Sequence, residues 1–162
     1  MAELQKASFL SCLLSVLVLT ASCSGLSELT PASLQEAQDR WTASRQSNYH
    51  MVIETKSDHM ETSRYDVTVR DKQVVKLARN GMPVLPGGGV QEYSVEGLFH
   101  TLDQEIDLKE KPQLLGAPPG YASYPMARFD PATGRLLRFQ RSVGGTKNSI
   151  EINVKEFEIL AP

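Results

Sequence analysis

Three histidines, a group of carboxylates, three adjacent glycines and two cysteines are the side chains and backbone groups here whose types could do chemistry. His50, His59 and His100 could act as general bases or zinc ligands, but they occur singly. Nothing resembles His-Glu-x-x-His, the spacing that sets two imidazoles one helical turn apart, and whether the three converge in space is left open. Glu96, Asp103, Glu105 and Asp107 fall on one predicted helix and could supply a carboxylate pair for acid–base work. A solvated acidic face is the commoner outcome for such a run. Gly87-Gly88-Gly89 could cradle a phosphate, yet no Gly-Lys-Ser/Thr follows and no apolar strand leads in, so a connector is expected. No Gly-x-Ser-x-Gly elbow occurs either. The expectation is a chain with no catalytic constellation, no cofactor and no metal site.

Cys23 is different, because of what precedes it. From Ala7 to Ala21 the chain is almost wholly apolar. As a helix that segment would measure about 22 Å against about 30 Å of bilayer hydrocarbon, so it reads as an export signal. Its end, Leu19-Thr20-Ala21-Ser22-Cys23, resembles the bacterial lipobox, in which the cysteine thiol receives a diacylglyceryl group and becomes the new N-terminus. Thr20 stands where leucine is usual, and Glu3 offsets Lys6 in the leader. A plain cleaved signal and an uncleaved anchor are the alternatives. The organisation expected is a lipoprotein signal peptide over 1–22, a lipidated cysteine and short tether over 23–30, and one domain over 31–162.

Composition narrows what that domain can be. The 162 residues carry a net charge of −2 with mixed signs, which lacks the basic face a nucleic-acid binder needs. Both cysteines, Cys12 and Cys23, belong to the leader, so disulfides and thiolate metal sites are excluded from the mature body. The domain has to stand on its hydrophobic core.

The elements follow from periodicity. Thr30-Pro31 supplies a cap and a first-turn proline for a helix over 31–45, with Leu34, Ala37 and Trp41 on one stripe. Tyr49, Met51 and Ile53, then Tyr65, Val67 and Val69, alternate as half-buried strands. A tight turn at Asp71-Lys72 leads to a third strand, 73–78, which Asn80-Gly81 ends. Ser94 caps a second helix whose core face is Val95, Leu98, Phe99, Leu102 and Ile106. A loop over 109–124, rich in proline and tyrosine, either presents a partner surface or folds back over its own tyrosines. Three strands close the chain, at 125–129, 136–140 and 150–159, with a bulge expected at Lys155-Glu156 where parity slips. Arg128, Arg135, Arg138 and Arg141 are expected to pair across strands with Glu151, Glu156 and Glu158. The sum is an α+β fold: two consecutive αβββ units, six strands in an antiparallel meander sheet, two helices on one face.

Several segments together carry a family resemblance. They are Trp41 with Ser47-Asn48-Tyr49, the stretch from Tyr65-Asp66-Val67 to Gln73-Val74-Val75, Tyr93-Ser94-Val95-Glu96-Gly97-Leu98-Phe99, Phe129-Asp130-Pro131-Ala132-Thr133-Gly134, and Ile150-Glu151-Ile152-Asn153-Val154. In that order they resemble the bacterial domain-of-unknown-function family 6174, across nearly all of the mature chain. The resemblance implies an exported, often lipid-anchored protein of the bacterial cell envelope, facing the extracytoplasmic side. Many members have a Cys-x-Cys pair after the first strand, where this chain has Glu54-Thr55-Lys56-Ser57-Asp58-His59. The function expected is a non-catalytic binding or accessory module, tethered to the membrane through lipid on Cys23 and directed at an envelope protein. The alternative, by fold analogy alone, is an inhibitor of a secreted enzyme.

Overall fold

The computed structural model describes residues 25–85, 87 and 89–161. The leader and Cys23 lie outside the described residues, as does Gly88 of the glycine run. Strand β1 (Ser27–Glu28) is followed by α1 (Pro31–Ser44), β2 (Tyr49–Ser57), β3 (Met60–Arg70), β4 (Gln73–Arg79) and β5 (Met82–Pro83). Then come α2 (Val95–Lys109), β6 (Ser123–Phe129), β7 (Leu136–Val143) and β8 (Ser149–Ile159). The protein is α+β, with one eight-stranded antiparallel sheet.

Local chemistry accounts for the helix ends. The Ser33 N–H donates to Thr30 Oγ1 at 3.1 Å and the Thr30 N–H donates to Ser33 Oγ at 3.0 Å, a reciprocal cap that satisfies two otherwise orphaned donors. Arg45 closes α1 in the left-handed region, at φ 53°. At α2, Ser94 Oγ accepts from the Gly97 N–H at 3.0 Å. The buried stripes are the expected ones, with one exchange: Glu105 is buried, whereas Ile106 is only partly covered.

The strands run in the order β1-β6-β7-β8-β2-β3-β4-β5, so the C-terminal strand lies against the first long one. Trp41, Leu98, Phe99 and Leu102 from the helices share one core with Tyr49, Met51, Ile53, Val67 and Phe139 from the strands, which puts both helices on one face. Across the sheet the second meander, β6-β7-β8, is followed by the first, β2-β3-β4, with its strand directions inverted. The rotation that superposes those meanders in order turns the sheet over and sends a helix to the opposite face. The two halves are therefore not symmetric copies.

Two expectations need correction. The sheet has eight strands rather than six, because two short ones are added: Ser27–Glu28 forms β1, and Met82–Pro83 continues past Asn80-Gly81 (φ 51° and 82°) as β5. Two residues are too few to show alternation. The segment 23–30 is not all tether: Ser27–Glu28 pair with Ala127 and Met126 on β6, and Leu29 is buried. The bulge falls where parity predicted it. Val52 pairs with Glu156 and Ile53 with Val154, so Lys155 is the extra residue that keeps both Val154 and Phe157 toward the core.

Candidate functional site

Beside its buried stripe, α1 carries a second stripe of polar side chains, Gln35, Gln38, Asp39 and Thr42, and Arg45 at its left-handed cap and Gln46 just past it join the same wall. Glu96, Gly97, His100 and Asp103, at the same helical spacing, face it from α2. Lys72 and Gln73 of the β3–β4 turn and Gln91 and Glu92 of a 3₁₀ turn (Val90–Tyr93) close one end. Together they line an open cleft of about 970 Å³. Lys72 donates its backbone N–H to the Ser47 carbonyl at 2.9 Å, and Val74 donates its own to Gln91 Oε1 at 3.1 Å. Those bonds bring the entry of α2 beside the exit of α1, so the helices run antiparallel. Arg45, Lys72 and Glu92 therefore lie at one end of the cleft, and Asp39 and Asp103 toward the other.

The floor is fixed from beneath. Trp41 Nε1 donates to Glu96 Oε1 at 2.9 Å, Tyr49 Oη donates to Glu96 Oε2 at 3.4 Å, and the Val95 N–H donates to Tyr49 Oη at 3.0 Å. Burial, reinforced by the Glu96 carboxylate and opposed by the Val95 N–H, raises the Tyr49 phenol well above its ordinary pKa, so it stays a donor. The Tyr49 ring stacks on Phe157 at 5.2 Å with Trp41 edge-on at 5.5 Å, and the Arg135 guanidinium lies over Phe157 at 4.6 Å. At Gly97 a Cβ would collide with the Gln91 carbonyl, so only glycine lets the 3₁₀ turn rest on the first turn of α2.

The three histidines occupy three places. His50, on the helix-free face of the sheet, has Nε2 3.1 Å from Asp66 Oδ1; His59 is exposed between β2 and β3; His100 lies 3.1 Å from Gln104 in the cleft wall. No group of three or more His, Cys, Asp or Glu side chains placed to hold a metal occurs among the described residues. Gly87 and Gly89 are exposed, in the connector before the 3₁₀ turn.

The acidic residues of α2 do not form one solvated face. Glu96 holds the cleft floor, Asp103 lines the cleft, and Asp107 is exposed. Glu105 is buried against Arg141, whose Nη1 donates to both carboxylate oxygens at 3.1 and 3.2 Å. Burial pushes the Glu105 carboxyl above the usual range and Arg141 pulls it back. The arginine expectation is thus half corrected. Arg138 does pair with Glu151, at 2.7 Å, but Arg141 reaches a helix, Arg135 binds Asp130 at 3.4 Å, and Glu156 takes Arg64 at 2.8 Å. Strand parity explains it: Arg141 and Phe139 are two residues apart and point into the same core.

The loop 109–124 does fold back, but not over its tyrosines. Ala117 is buried, while Tyr121 and Tyr124 are 53% and 56% exposed. Among the described residues no helix is long and apolar enough to cross a membrane. Compared with known families and with characterised proteins, the chain matches none.

The cleft is what the sequence left unread. Its lining comes from four separate segments, and its one sequence signal is the polar stripe 35, 38, 39, 42 beside the apolar one.

Proposed function

We propose that this chain is an exported lipoprotein of the bacterial cell envelope, held by acyl chains on Cys23, whose domain is a non-catalytic binding module. Its partner is a polar segment of another envelope protein, taken up in the cleft between α1 and α2. The observation that carries this reading is the cleft lining: five glutamines and Thr42 among charged side chains of both signs, set on a floor held by Glu96. Amides and hydroxyls both donate and accept, so the surface suits a partner with many hydrogen-bonding groups. The leader ending at Cys23 supports the address. Membership of the unknown-function family 6174, with two αβββ units side by side in one domain, belongs to the same proposal and is supported by the order of the quoted motifs.

A photo-crosslinking residue replacing Gln38 in the cleft, and another replacing Lys76 on the outer strand, test the reading in intact cells that also receive radiolabelled palmitate. The cleft position is expected to capture one envelope protein, with capture lost in Arg45→Glu, and Cys23→Ser is expected to abolish palmitate labelling. Equal capture from both positions, or none, removes the cleft as the binding surface. Unchanged labelling of Cys23→Ser removes the anchor.

A further inference from the structure

The helix layer is narrower than the sheet it covers. Eight strands about 4.8 Å apart span about 34 Å, whereas two helices about 10 Å apart cover about 20 Å. α2 packs on β6 and β7, but β4 is met only by the 3₁₀ turn Val90–Tyr93. A second hollow of about 330 Å³ is left at this corner, between the core side of β3 and β4 and that turn. Its volume is within the range of small-molecule sites.

Most of its wall is apolar. Tyr65 and Leu77 form the floor, the Tyr93 ring lies against Tyr65 at 4.5 Å, and Val84 and Val90 stand beside them. Val84 is 38% exposed and Leu85 83%, so apolar surface is left uncovered at the mouth. Burial, reinforced by a hydrogen bond to Tyr65, pushes the Tyr93 phenol up to about 12, so it carries no charge at neutral pH. Arg79 is the one cation in the lining. Its Nε and Nη2 donate to Oγ of the buried Ser63 at 3.2 and 2.9 Å, and its guanidinium lies 5.8 Å from the centre of the Tyr65 ring. Of the five N–H groups of a guanidinium, three are left with no hydrogen-bond partner among the described residues. Glu92 stands in the wall that the hollow shares with the α1–α2 cleft.

We propose that this corner binds a small monocarboxylate with an apolar body, its carboxylate on Arg79 and its hydrocarbon part between Leu77, Val84, Val90 and the Tyr93 ring. A guanidinium end presents two parallel N–H groups, which a carboxylate accepts with both oxygens. The Ser63 bonds hold that end in place before any ligand arrives, which lowers the entropy cost of binding. The rest of the wall rewards apolar area rather than further polar groups. Glu92 repels a second carboxylate, so one negative charge per ligand is the fit. The site is distinct from the polar α1–α2 cleft, and it stands whether or not Cys23 is acylated.

The test titrates hydrocinnamate into the full chain, matured in a bacterial host and methyl-labelled at leucine and valine for NMR. The expected result is saturable shifts at Leu77, Val84 and Val90 with none at Leu34 on α1. Hydrocinnamamide, which lacks the charge, and propionate, which lacks the ring, are each expected to bind at least about tenfold more weakly. Arg79→Gln is expected to weaken hydrocinnamate by about tenfold with an unchanged melting curve. Shifts that do not saturate at millimolar ligand, or that centre on the α1–α2 cleft, overturn the site. An amide that binds as tightly as the acid overturns the role of Arg79. Should Arg79→Gln melt early, the acid and amide on the unaltered chain still decide between these outcomes.

Discussion

Arg141→Met removes one member of an ion pair whose two side chains are each only 9% exposed. The cost follows from desolvation. With Arg141 present, its Nη1 bridges both oxygens of Glu105; without it, a buried carboxylate has no counter-charge. Breaking a buried pair in this way costs about 3–5 kcal/mol at neutral pH, or on the order of 10–20 °C in melting temperature for a domain of this size. The loss also depends on pH, with a fixed sign. Burial raises Glu105 above the ordinary carboxylate range, so folded protein takes up this proton at higher pH than unfolded chain. That contribution to stability is complete below the unfolded value of about 4.3 and is lost as pH rises through the folded one. Removing the opposing pull of Arg141 raises the folded value further, so the penalty of Arg141→Met is largest near pH 7 and shrinks toward pH 4. Glu105→Gln combined with Arg141→Met leaves no uncompensated charge and recovers most of the loss. Urea titrations followed by Trp41, the one tryptophan and a buried one, provide the measurement. A penalty under about 1 kcal/mol that stays constant from pH 4 to 7 would refute the reasoning, and so would a double variant no more stable than Arg141→Met.

Tyr49→Phe strands the Val95 N–H in the core and is expected to cost about 1–3 kcal/mol by urea denaturation, with little change in the far-UV spectrum. Gly134→Ala fails on two counts, a φ of 78° and a Cβ that collides with the Ala37 carbonyl on α1; a drop in melting temperature of several degrees, clearly larger than for Gly81→Ala in open space, is the calorimetric expectation. Deleting Lys155 removes the bulge, so Val154 and Phe157 can no longer both face the core. Loss of the cooperative Trp41 fluorescence transition is expected, because Phe157 packs edge-on to Trp41 at 6.1 Å.

Much of this fold was legible because its signals are local. The stripe Leu34, Ala37, Trp41, the alternation of Tyr49, Met51 and Ile53, the cap at Ser94 and the parity slip at Lys155 each report which side of a short segment is apolar, and the structure buries those sides. Edge strands β1 and β5 were not legible, since two residues have no period and are held by neighbours distant in sequence. Charge pairing was readable only in part. Arg138 meets Glu151 across β7 and β8, but Arg141 lies on the core side of β7 and finds Glu105 on α2.

By itself, then, the order of residues determined where helices and strands form, which face of each is apolar, and, in the stretch ending at Cys23, the expectation of export and anchoring. Those are properties of segments a few residues long, decided by backbone geometry and side-chain type. Tertiary structure decided the strand order that lays β8 against β2, the burial of Glu105, and the meeting of Gln38, Lys72, Gln91 and Asp103 around one cleft. The physical reason is that these features depend on contacts between residues tens of positions apart, whose proximity exists only once the shared core has formed.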